Sequence, residues 1–269
     1  AKHYLSMFQG RVEHWHAPDQ MQLRQVVPEN RLRVYDTRKA IEGIADIDSV
    51  LMLRSGFGLG IHTALARVEG QAVGIMANNP HHLGGAIDAD AADKAARFMQ
   101  LCDAHGLPII SLIDTPGFMV GPDVEAQAQV RHVSRLFLVG AKLRVALLAV
   151  TLRKGYGLGA MAMAGGGFRS ANLTVSWPTG EFGPMGLEGA IQLGFKKELD
   201  ALPDGPQRKA LYDQLVSQAY ERGHAISTAA AGEIDAVIDP AHTRKWITQG
   251  IASAGLRAQR PRRGFVDAW

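Results

Sequence analysis

The sequence predicts an α/β domain built on a largely parallel sheet. Short aliphatic or β-branched runs alternate along the chain with helix-length amphipathic patterns, and glycine-rich turns separate the two. Of its 269 residues 46% are hydrophobic and 20% charged, which suffices to bury one large core. Residues 1–38 carry scattered Pro, Trp and charge with little periodicity and form a lead-in segment, and the first periodic stretch is 38–44. Strands are expected at 49–53, 61–68 and 72–77, with Glu69-Gly70 as a hairpin turn. Over 88–105, Ala92, Ala95, Ala96, Met99 and Cys102 recur at helical spacing, Asp88 can cap the start and Gly106 can end the run.

Three strand, turn and helix units follow. Residues 108–113 lead to Asp114-Thr115-Pro116-Gly117 and a helix over 123–139. Residues 145–152 lead to a glycine turn over 155–159 and a helix beginning near it, and 173–177 lead to a glycine-rich segment and a short helix through Ile191. Helices at 206–223 and 241–252, a short strand at 234–238 and a tail at 253–269 complete what reads as a single domain, 1–269.

Composition excludes several functions. One cysteine, Cys102, leaves no disulfide framework or Cys-based zinc site and points to a reducing compartment, with the cytoplasm as the expected location. No apolar run reaches the roughly 18–20 residues that cross a bilayer, and the first ten residues lack the order of a signal peptide, so no membrane association is expected. The formal charge is +3, and the pI of 9.1 owes much to Arg257, Arg260, Arg262 and Arg263. No aromatic residues interleave with that cluster as base stacking requires, so it reads as a solvated tail or an intersubunit contact and no nucleic acid partner is expected.

Motif readings narrow the chemistry further. Asp114-Thr115-Pro116-Gly117 matches the DxxG element of GTPases, but no Gly-Lys pair exists to form a P-loop. Gly56, Gly58 and Gly60, like Gly155, Gly157 and Gly159, are spaced GxGxG, which is not the dinucleotide fingerprint. There is no Gly-x-Ser-x-Gly elbow, and Cys102 lies within a helical pattern as a core residue. His81-His82 and His14, His16 lack the further ligands that would complete a metal site, so none is expected.

Backbone-rich turns remain. At Gly157-Leu158-Gly159-Ala160 a small-residue strand-to-helix junction leaves peptide N–H groups open to an anionic oxygen. The loops Asn78-Asn79-Pro80 to Gly84-Gly85-Ala86 and Asp114 to Gly117 are expected at the same ends of neighbouring strands. The alternative for each loop alone is glycine selected only for close helix–sheet packing.

Taken together, Val73-Gly74-Ile75-Met76-Ala77-Asn78-Asn79-Pro80, Gly84-Gly85-Ala86-Ile87-Asp88, residues 92–99 and Asp114-Thr115-Pro116-Gly117-Phe118 resemble the C-terminal domain of the carboxyltransferase (beta) subunit of biotin-dependent acyl-CoA carboxylases of the acetyl/propionyl type. Arg153-Lys154-Gly155-Tyr156-Gly157, Trp177-Pro178-Thr179, Met185-Gly186-Leu187-Glu188-Gly189-Ala190 and Ile238-Asp239-Pro240 extend the resemblance over 17–246. It implies a crotonase-like spiral fold and transfer of a carboxyl group from carboxybiotin to the α-carbon of an acyl-CoA through a thioester enolate. Two pairs of backbone donors would serve the ureido and thioester oxygens, without a side-chain base or a metal in this domain. By motif matching, Gly159 and Ala160 are the biotin-side pair. Ala162 occupies a position that shapes the pocket, where a small side chain leaves room, and Gly84, Gly85, Gly117, Phe118 and Tyr156 are the remaining substrate-binding positions.

One departure matters. In the family a CoA-binding half normally precedes this segment, and the chain opens at Ala1, as expected of a fragment, a processed product or a split gene. Biotin must arrive on another domain or chain, because no Ala-Met-Lys-Met carrier sequence is present, and Lys154 reads as a structural or phosphate-facing charge. The implied partners are the acyl-CoA, an N-terminal carboxyltransferase half, the biotin carboxyl carrier, biotin carboxylase and further copies of the chain in a homo-oligomer. A biotin-dependent decarboxylase or transcarboxylase subunit, and a non-catalytic assembly module, are the alternatives.

Overall fold

The computed structural model describes residues 1–255; the arginines at 257, 260, 262 and 263 and the rest of the tail lie outside the described residues. The lead-in holds a short helix α1 (Lys2–Ser6) and a 3-10 turn (Gln20–Gln25), and it ends at α2 (Arg38–Ile44). Next come β1 (Leu51–Leu53), β2 (Ile61–Val68) and β3 (Gln71–Asn78) as an antiparallel meander. Glu69 and Gly70 turn β2 into β3 with φ of 52° and 76°, the double left-handed geometry of a type I′ hairpin. Gly70 is required there twice over, because a Cβ would also lie 1.9 Å from the Val12 carbonyl.

Helix α3 (Ala89–His105) has the ends its sequence predicts: the Asp88 carboxylate accepts from Ala91 N–H, and Gly106 closes the helix at φ 70°. It leads into β4 (Ile109–Thr115), α4 (Pro122–Ala126), α5 (Gln129–Gly140), β5 (Leu147–Tyr156) and α6 (Gly157–Met163). Then follow β6 (Leu173–Ser176), β7 (Glu181–Gly183), α7 (Leu187–Gly194), α8 (Lys196–Asp200), α9 (Pro206–Gly223), α10 (Ala225–Ala230), β8 (Ala236–Val237) and α11 (Thr243–Gly255).

The sheet order is β1-β2-β3-β4-β5-β6-β8, and every pairing from β3 onward is parallel. Strand β5 is long enough to hold β6 along Leu148–Thr151 and then β7 along Lys154–Tyr156. Both faces are buried, with period-two alternation. Ile109 and Ile113 of β4 meet the core beneath α3, α5 and α6, whereas Ile110 and Leu112 meet the core beneath α2 and α11. Close approach of α3 requires Gly74, where a Cβ would sit 2.3 Å from Cys102 Sγ. Because β3, β4 and β5 are parallel neighbours, the loops after Asn78, Thr115 and Tyr156 leave the same edge side by side, where ligands of open α/β sheets bind.

Several boundaries differ from expectation. The helix predicted over 123–139 is two helices, because Ala128 takes φ 58° and breaks the ladder. The glycine turn predicted over 155–159 begins later, because β7 keeps Gly155 and Tyr156 in the sheet. Strand β7 and helices α8 and α10 went unpredicted; each is six residues or fewer, too short to show a period. The predicted tail begins inside α11, which holds residues 253–255.

Candidate active site

Gly157 starts α6 at φ 59°, a left-handed turn that a side chain would strain, and its Cβ would meet the Pro184 carbonyl at 2.7 Å. With Tyr156 as its N-cap and no side-chain cap, α6 leaves the N–H groups of Gly157, Leu158 and Gly159 in the first turn without an acceptor in the helix, and Ala160 N–H is the first that can reach back to the Tyr156 carbonyl. Among the described residues no backbone hydrogen bond outside the helix uses the N–H of Gly159 or Ala160. Both residues are buried, whereas Leu158 beside them is 61% exposed.

The three expected loops meet at this corner. A Cβ on Gly159 would lie 2.7 Å from the Gly117 carbonyl carbon and 3.0 Å from Phe118 N, so α6 rests directly on the Gly117-Phe118 backbone. Ile87 N–H donates to Gly117 O at 3.0 Å and Met119 N–H to Ile87 O at 2.9 Å, which stitches the first loop to the second. Gly84 (φ 62°) is exposed, while Gly85 (φ 91°) is buried with its Cα against the Asp114 carbonyl. Phe118 is half-buried and meets Phe137 edge-on at 6.3 Å. Ala162 is fully buried in the core where α6 packs on β4, β5 and α5, so it lines no open pocket as expected from sequence but packs beneath the junction. Tyr156 is also buried, and its hydroxyl donates to Glu181 at 2.8 Å; burial and that carboxylate push its pKa above the ordinary tyrosine range.

Beneath the loops lies a polar network that sequence reasoning missed. Asp114 is fully buried at the end of β4; its carboxylate accepts from Lys154 N–H at 3.1 Å and pairs with the Arg153 guanidinium at 3.1 Å and the Lys154 ammonium at 3.8 Å. Asn78 Oδ1 accepts from Asp114 N–H, and Thr37 donates to the Asn78 carbonyl. Arg153 also donates to the carbonyls of Arg31 and Arg33 and lies over the Tyr35 ring. Asn78 Nδ2 and Arg153 Nε are buried without a hydrogen-bond partner, at a cost of about 1–3 kcal/mol for each such group. The signal was an acid at the end of one apolar strand and two cations at the end of the next; Asp114 is read from sequence only as part of a glycine loop and of a GTPase-like element that fails, and Lys154 as a structural or phosphate-facing charge.

Other candidates fall outside the site. His82 pairs with the cap carboxylate Asp88 at 2.8 Å and His81 is exposed. Among the described residues no group of three or more His, Cys, Asp or Glu is placed to hold a metal, and no helix is long and apolar enough to cross a membrane. Cys102 is buried, and burial pushes its thiol far from ionisation. A cavity of about 910 Å3 sits at the far end of α6 between Arg144, Gly165 and Asn172, away from Gly159 and Ala160.

A mostly parallel sheet whose adjoining glycine loops meet at a helix start places the chain among α/β domains whose loop edge can offer main-chain donors to a ligand. The chain belongs to the carboxyl transferase domain family, whose sequence profile matches residues 5–264. It is 37% identical over 240 residues to the beta6 subunit of biotin-dependent acetyl-/propionyl-coenzyme A carboxylase from Mycobacterium tuberculosis, covering 87% of this chain and 50% of that protein. A solved single-chain, multi-domain long-chain acyl-CoA carboxylase superposes with a TM-score of 0.85 at 58% identity, over 92% of this chain and 24% of that one. The transcarboxylase 12S hexamer, solved with methylmalonyl-coenzyme A and methylmalonic acid bound, superposes with a TM-score of 0.84 at 32% identity, over 95% of this chain and 49% of that one. The fold is thus the crotonase-like one of the carboxyltransferases. The chain spans half or less of the length of these relatives.

Proposed function

We propose that this chain is the biotin-facing half of an acyl-CoA carboxyltransferase, in which the Gly159 and Ala160 amides receive the oxygen on which charge develops. The observation that carries the reading is the junction itself: three glycine loops from β3, β4 and β5 pressed together around a helix start with no side-chain cap, where no backbone bond from outside the helix occupies the N–H of Gly159 or Ala160. Those donors suit a ureido oxygen, because they bind without a counter-charge and need no reorganisation as negative charge builds; a single such donor is worth about 3–4 kcal/mol of barrier. Carboxybiotin, when bound, supplies the carboxyl group. Gly84, Gly85, Gly117 and Phe118 furnish the adjoining walls, Tyr156 holds the junction in place through Glu181, and Ala162 shapes the site from the buried face of α6.

The whole chain is read as one domain with a lead-in over 1–38. Its partners on this reading are an N-terminal CoA-binding half, a biotin carboxyl carrier, biotin carboxylase and further copies of itself, acting in the cytoplasm. Support comes from its span of about half the relatives' length and from the hexamer of the 12S protein. The test is to assemble the chain with those components, ATP and labelled bicarbonate, and to follow label into a series of acyl-CoA thioesters. Label in an acyl-CoA is the expected result, and its absence across the series, in an assembly that forms, leaves only a scaffold role. Because the 12S relative is a transcarboxylase, the same mixture run in reverse from carboxylated thioester separates carboxylase from transcarboxylase or decarboxylase.

A further inference from the structure

The loop that carries Gly84 and Gly85 is held at its ends, where Asn79 accepts from His81 N–H and His82 pairs with Asp88, but its tip is open: Leu83 and Gly84 are exposed and both take positive φ. What reaches the Gly84 carbonyl from across the sheet edge is the Lys154 side chain. Lys154, two residues before Tyr156 on β5, spans the end of β4 and donates to the Gly84 carbonyl at 2.5 Å. Its position is dictated from behind, because its own N–H is bound by the fully buried Asp114, which also faces the ammonium at 3.8 Å. Asp114 in turn receives Arg153, and its N–H meets Asn78 at the end of β3. A single chain of contacts therefore runs from the strand that delivers Gly159 and Ala160, through Asp114, to the loop on the neighbouring strand.

Resting on the carboxyltransferase reading, we infer that Lys154 is a positioning residue of the site: its ammonium, seated on Asp114, clasps the Gly84 carbonyl and holds the Gly84-Gly85 loop in register with the Gly159-Ala160 donors. Burial lowers the Lys154 pKa below the ordinary lysine value and outweighs the attraction of Asp114; Arg153 on β5 lowers it further, and Glu181 on β7 raises it. A lysine whose folded pKa is lowered binds its proton more weakly folded than unfolded, so stability rises as pH climbs through that interval while the charged clasp is lost. Fold and clasp therefore respond to alkaline pH in opposite directions, and the two roles can be separated.

In the assembled holoenzyme, Lys154→Met is expected to lower kcat for carboxyl transfer by about 10- to 100-fold, as misorientation does, with KM for the acyl-CoA near its wild-type value. Lys154→Arg, which stays protonated, is expected to keep most activity and to extend it to higher pH than the wild type. Amide hydrogen exchange over residues 83–87, corrected for the intrinsic rate, reads the clasp without turnover. It should quicken in Lys154→Met, and in the wild type at alkaline pH, but not in Lys154→Arg. Wild-type kcat in Lys154→Met overturns the inference, and so does a fall in kcat with unchanged exchange. If the wild-type holoenzyme transfers no carboxyl, the proposed reaction fails, and the exchange data still decide the clasp.

Discussion

Glycine serves two purposes at this junction, and the distances separate them. Gly84 has nothing within 4 Å of where a Cβ would stand, so only its φ of 62° demands glycine. Gly159 has no such φ, yet a Cβ there would press the Gly117 backbone at 2.7–2.8 Å, atoms that cannot rotate away. Packing alone thus explains why residue 159 is glycine, while its amide remains available for chemistry. A side chain at 159 consequently disturbs the fold as well as the reaction. Gly159→Ala is expected to cost about 1–3 kcal/mol, as overpacking does, and Gly84→Ala about 1–2 kcal/mol from left-handed strain alone. Urea unfolding of the two variants checks this, and a Gly159→Ala midpoint equal to the wild type would mean that α6 sits less tightly on Gly117-Phe118 than the geometry requires.

At the scale of elements, legibility followed length and local chemistry. Helix α3 was readable because it is 17 residues long, begins at a capping aspartate and ends at a left-handed glycine, all local signals. The Asp88 cap does double duty, holding Ala91 N–H at 2.8 Å and His82 at 2.8 Å, so it fixes both the helix start and the end of the first site loop. Asp88→Ala is expected to cost about 1 kcal/mol from the cap, measurable by thermal unfolding, with a larger effect on the 79–88 loop than on the rest of α3. The strand edge carrying the loops was legible as three apolar runs ending in glycine turns. The break at Ala128 was not, since no glycine or proline marks a left-handed alanine. Strand β7 was hidden for another reason: it pairs with the far end of β5, a contact no local pattern of residues 181–183 announces. The Asp114, Arg153 and Lys154 network was illegible because it joins two strands about 40 residues apart through burial.

Across the molecule, long-range polar clamps tie the outlying segments to the sheet. Buried Arg244 of α11 bonds the Ile44 carbonyl and pairs with Asp46, whose carboxylate also accepts both N–H groups of the Glu69-Gly70 hairpin. Arg24 of the lead-in pairs with Asp239 just before α11. The lead-in and the final helix are thereby tied into the same body as the sheet. The most direct measurement is carboxyl transfer by the assembled enzyme after the Leu158–Gly159 peptide is replaced by an ester, which deletes the Gly159 N–H and adds no bulk. Transfer should fall about 100- to 1,000-fold, the loss typical of one oxyanion donor, with the unfolding midpoint little changed. Undiminished transfer in that ester would contradict the assignment of the Gly159-Ala160 corner.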